Sequence, residues 1–131
     1  MNKRETAILD LILLVSVAQL ALIACTHKPV SFKQDITPIL TNTCGECHTA
    51  PDGFGYRKTG LEVSSYEALM KGTMYGPVII AGDSRRSILN KMIEGRAGEM
   101  QKLMHEDGRK GISQEEIMTL RIWVDEGALN N

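Results

Sequence analysis

The chain has 131 residues, enough for one domain. Fifteen Lys and Arg stand against sixteen Asp and Glu, a formal net charge of −1, and that balance excludes the basic surface a nucleic-acid binder needs. Aromatic residues make up only 5%, so a core of side chains alone is thin, and a bound apolar group would supply the missing bulk.

Lys3 and Arg4 give a short basic start. From Leu11 to Ala24 the chain is almost wholly apolar, broken by Ser16 and Gln19. That run is short for a membrane-spanning helix and suits the apolar part of a signal peptide. It ends in Leu22-Ile23-Ala24-Cys25, which resembles a bacterial lipobox, where the cysteine is lipidated and becomes the mature N-terminus. The reading is a lipoprotein-type signal peptide over 1–24, a lipidated tether over 25–31 and one domain over 32–131. An uncleaved membrane anchor and an ordinary secretory signal are the competing readings, and all three place the domain outside the cytoplasm. Diacyl anchoring is stable where a single chain is not, so the domain is expected close to a membrane surface. His27 reads as a solvated tether residue.

Ser31 can cap a helix with Phe32, Ile36, Ile39 and Leu40 on one face, expected to pack on the C-terminal helix. At Pro38 either that helix kinks, or Thr37 caps a second short helix with Pro38 at its first position. Then comes Cys44-Gly45-Glu46-Cys47-His48, which reads C-x-x-C-H, the attachment sequence for a c-type haem. Each thiol can add to one vinyl group of the porphyrin, and the histidine after the second thiol lies under the iron as its proximal ligand. A redox dithiol would need βαβ patterning around it, and a zinc site would need a second ligand pair; neither is visible. One such motif predicts one covalent haem c. Cys25, the third cysteine, is left over, which argues against a disulfide framework.

Residues 49–60 carry Pro51, Gly53, Gly55 and Gly60 and read as a loop wrapping the proximal side of the haem, with Arg57 and Lys58 as solvated charges. Ser64 with Glu67 fits a capping box for a short helix that ends at Gly72. Val78-Ile79-Ile80 reads as extended chain lining the haem pocket. Asp83 or Ser84 is expected to cap the next helix, with Ile88, Leu89, Met92 and Ile93 buried and Gly95 at its end. Ser113 with Glu116 is a capping box for the last helix, and Ile112 with Ile117 can staple it. Ile117, Leu120 and Val124 recur at helical spacing, Trp123 beside them reads as core, and Gly127 stops the helix.

Gly60-Leu61, Ser64-Ser65-Tyr66-Glu67-Ala68-Leu69-Met70, Gly72, Gly76-Pro77-Val78, Gly82-Asp83 and Ser87 together resemble the monohaem cytochrome c domains of planctomycetes and related bacteria. The resemblance runs from about Phe32 to the C-terminus, with Ala81 in place of the usual proline. It implies an all-α, class I cytochrome c-like fold of about four short helices around one haem. It also places Met104 on the family's iron-binding methionine, opposite His48. A thioether there is a soft ligand that raises the potential. His105 stands where the family has proline and is the alternative sixth ligand; Met100 and Met74 are further thioethers.

The expected function is one-electron transfer by a lipid-anchored carrier on the periplasmic face of a bacterial membrane, with redox proteins of the cell envelope as partners. It is expected to be a carrier rather than an enzyme. The alternatives are a haem-based sensor and a haem subunit of a larger oxidoreductase.

Overall fold

The computed structural model describes residues 27–99 and 111–131. Cys25, Met100, Met104 and His105 lie outside the described residues. Five α-helices are present among these, with an isolated bridge between Thr73 and Gly76 and no strand. The expectation of about four short helices is met with one more, described below.

Ser31 caps the first helical segment, its hydroxyl accepting from the Gln34 N–H. The chain then makes a π-helical turn over Phe32–Ile36 before settling into α1, Thr37–Thr43. Pro38 explains the wide turn. It has no N–H, and its ring crowds the preceding turn of a regular helix. The Ile36 N–H reaches back to Ser31 O at 3.1 Å and the Thr37 N–H to Phe32 O, so the chain opens by one residue as it enters the proline. Thr37 closes the π-helical turn rather than N-capping α1, where Ile36 stands, and its hydroxyl donates to Phe32 O at 3.0 Å.

Between Gly53 and Gly60, where the sequence reads as loop, the chain forms α2, Phe54–Thr59. Lys58 lies over the Phe54 ring, 4.5 Å from its centroid, and Arg57 donates to Asp52 O. Helix α3, Tyr66–Lys71, is capped by Ser65, one residue later than expected, because Ser64 donates its hydroxyl to Glu62 instead. It ends at Gly72, whose φ of +80° favours glycine. Val78, at a bend rather than in an extended run, and Ile79 are buried, whereas Ile80 is exposed.

Helix α4, Ile88–Ile93, starts after Ser87, not after Asp83 or Ser84. Both expected caps are engaged elsewhere. Asp83 closes a turn of its own by accepting from the Arg86 N–H at 2.9 Å. Ser84 bonds Asp125 through its N–H and its hydroxyl. Leu89, Asn90 and Ile93 are buried, but Ile88 is 37% exposed, contrary to the periodicity. The Asn90 carboxamide has no hydrogen-bond partner on either of its polar atoms.

Helix α5, Gln114–Asp125, has the expected reciprocal capping box between Ser113 and Glu116. Its buried face is Leu120, Trp123 and Val124. The Trp123 and Tyr66 rings flank Phe32, with centroids 5.5 and 5.2 Å away. Their polar ends pin the C-terminal strap: Trp123 Nε1 donates to Leu129 O and the Tyr66 hydroxyl to Ala128 O.

The stretch expected to be a solvated tether is solvated at His27, which is 63% exposed, but it is also hydrogen-bonded to the domain. His27 Nε2 lies 2.5 Å from Glu126 Oε1, and the Val30 N–H donates to Glu126 Oε2 at 2.8 Å. The Ser31 hydroxyl and the Lys33 N–H both donate to Asn131 O, and the Phe32 N–H to Asn131 Oδ1. This end of the molecule therefore joins the start of the helical chain to the end of α5.

Candidate haem-attachment site

The site begins where α1 stops. Cys44 caps α1, its N–H bonding Leu40 O. The chain does not straighten there but winds one more turn: the N–H groups of Cys47 and His48 both reach Cys44 O, at 3.1 and 2.9 Å. Positions i, i+3 and i+4 of a helical turn share a face. Cys44, Cys47 and His48 therefore project to one side, as covalent attachment with axial ligation requires. Neither thiol is tied up in a disulfide, and both are half-buried.

The imidazole is held from behind. His48 Nδ1 lies 3.2 Å from Leu61 O, and the Val63 N–H donates to His48 O at 3.0 Å. A carbonyl can only accept, so Nδ1 carries the proton and Nε2 keeps its lone pair for a metal. Burial pushes the His48 pKa down, and the Leu61 bond opposes this in part. The ring is thus neutral at neutral pH, the ligating form.

Residues 49–60, expected as a loop, instead contain helix α2, which packs against the His48 ring. The Tyr56 N–H donates to Cys47 O at 2.9 Å. Gly55 opens α2 directly against the imidazole: a Cβ there would fall 2.6 Å from His48 Cε1 and 2.7 Å from Nε2. Gly53 is equally tight, its missing Cβ 2.5 Å from Cys47 O. Sequence reading treated these glycines as loop punctuation. Their spacing behind C-x-x-C-H was the available signal for close approach. The carbonyl of Leu61 left no trace in the sequence, because any residue could supply it.

The Cys44 thiol is not primed as a redox nucleophile. Burial raises the Cys44 pKa; a hydrogen bond with Thr43 lowers it in part, and the Glu116 carboxylate raises it further. A nucleophilic dithiol needs the opposite shift. Among the described residues no group of three or more His, Cys, Asp or Glu could hold a metal ion. A porphyrin would bring four equatorial nitrogens of its own, leaving His48 to supply an axial one, so the residues present fit haem c. Met74, one of the alternative thioethers, is exposed in the turn after α3. A cleft of about 290 Å³ lies between α4 and α5, lined by Ile93, Ile117 and Arg121 among others and by none of the attachment residues.

Residues 44–101 match the family model described as Planctomycete cytochrome C. The match starts at the first attachment cysteine and stops short of Met104. No curated protein and no solved structure matches the chain.

Proposed function

As the chain carries a c-type cytochrome domain of the planctomycete family, we propose that it carries single electrons between redox proteins of a bacterial cell envelope, on the periplasmic face of a membrane to which lipid on Cys25 holds it. The observation that supports this best is the single face shared by Cys44, Cys47 and His48, with Nδ1 of the histidine fixed by Leu61 O. When bound, haem supplies the one-electron chemistry. The chain's own part is to hold and shield it. Cys44 and Cys47 fix it covalently, and His48 offers a neutral nitrogen in a set orientation. The wall of residues 49–63 covers the imidazole. A fixed ligand and a rigid wall keep geometry alike in both oxidation states, which is what a carrier needs.

For the far side of the iron we propose Met104, with His105 as the alternative. The test is an optical and redox comparison of Met104→Ala and His105→Ala in the haem-loaded protein. Met104→Ala is expected to abolish the methionine-to-iron charge-transfer band and lower the potential, because a thioether favours ferrous iron. An unchanged spectrum and potential in that variant would remove Met104 from the site. An iron that is five-coordinate in the parent protein and binds carbon monoxide readily would favour a sensor.

A further inference from the structure

Membrane attachment through the N-terminus is ordinarily pictured as a ball on a string. The hydrogen bonds at residues 27–33 do not allow a string here. His27 and Val30 are both held by the Glu126 carboxylate, and Ser31, Phe32 and Lys33 are held by Asn131. Cys25 stands two residues before His27. Two residues span at most roughly 7 Å, so a lipid on Cys25 has almost no slack before the domain is gripped.

We propose that residues 27–33 are an orienting clasp that presents one end of the domain, the end bearing His27, Glu126 and Leu129, to the bilayer surface. The inference rests on the lipid-anchor reading above. Leu129 is 49% exposed at that end, next to the strap that Trp123 and Tyr66 pin. The attachment site lies at the other end of the same two helical elements. The chain climbs from Phe32 to Cys44, and α5 runs the opposite way, from near Cys44, where Glu116 acts on the thiol, down to Glu126. At 1.5 Å per residue, α5 alone separates Glu126 from Gln114 by roughly 18 Å. The clasp therefore sets which side of the cytochrome faces lipid and leaves the Cys44 end open to a redox partner.

The test uses the full-length lipidated protein on phosphatidylethanolamine–phosphatidylglycerol vesicles doped with a nickel-chelating headgroup lipid. A spin label is placed at Leu129→Cys or at Gln114→Cys. The expected result is strong relaxation by surface nickel at residue 129 and little at 114. Glu126→Ala should shrink that contrast while the vesicle-bound fraction stays the same. A second variant leaves the clasp untouched: eight Gly-Ser residues inserted between Thr26 and His27 should also erase the contrast, because slack is restored. Equal relaxation at both positions in the parent protein, or a contrast that survives the insertion, overturns the clasp. Failure to bind vesicles, with an N-terminal peptide mass lacking acyl chains, overturns the anchor reading instead, and the bilayer as the facing surface with it.

Discussion

At the scale of single residues, the site is set by close approach as much as by ligands. Gly55 is the clearest case, since any side chain there would enter the imidazole ring of His48. Gly55→Ala is expected to cost about 1–3 kcal/mol, the usual penalty for overpacking a fitted contact. Part of that cost would fall on the His48–Leu61 bond, so the variant should also shift the potential; denaturant titration followed at the haem band, with voltammetry, measures both. A stability equal to the parent's would mean that α2 recedes freely and is not a wall. Asn90 presents the reverse situation, a buried polar group with nothing to bond. Asn90→Leu keeps the branched shape with somewhat more bulk, removes two unpaired polar atoms and improves helix propensity, so it should raise the unfolding free energy by about 1–3 kcal/mol. A loss of stability instead would show that water or the haem pairs with the carboxamide in the loaded protein.

At the scale of elements, the turn before α4 carries a pH signature. Asp83 accepts from the Arg86 N–H and pairs with its Nε at 2.5 Å, and these bonds hold its pKa below the usual carboxylate range. A folded pKa below the unfolded one gives stability that is present above the unfolded value, about 3.9, and fades as pH falls below it towards the folded value. The parent should therefore melt above Asp83→Asn at neutral pH, and the gap should narrow in acid. Melting curves from pH 7 to pH 3 test this, and a gap that widens in acid would contradict it. The same turn shows why some element boundaries were legible and others not. Ser31 and Ser113 each have one serine before a clear apolar face, and both cap as read. Ser64 and Ser65, or Asp83, Ser84 and Ser87, offer several caps in a row, and the choice depends on tertiary partners such as Glu62, Arg86 and Asp125. Helix α2 was hidden for another reason. Glycine lowers helix propensity, but here it is needed for contact with His48, and only the folded chain shows that demand.

At the scale of the molecule, C-x-x-C-H disclosed the chemistry, while the arrangement of the two ends had to come from three-dimensional contacts. His27 is exposed, as a lone histidine beside a lipobox suggests, but its partner Glu126, 99 residues away, is invisible in the sequence. Trp123 links both ends. It touches Phe32 at the start of the helical chain, holds Leu129 in the C-terminal strap and sits fully buried. Removing it should therefore affect the whole fold and not one helix. Trp123→Ala is expected to cost about 3–5 kcal/mol, against the roughly 5–15 kcal/mol that holds a domain of this size together. Trp123→Phe should keep the ring contact with Phe32 and lose the bond to Leu129 O, at about 1 kcal/mol. Denaturant unfolding can be followed at once by helix ellipticity and by the haem band. If the helical core that Trp123 anchors and the attachment turn unfold as one unit, both signals shift to lower denaturant together in Trp123→Ala. Separate transitions, with ellipticity lost before the haem environment, would mean that the attachment turn and its wall of residues 49–63 stand without the helical core.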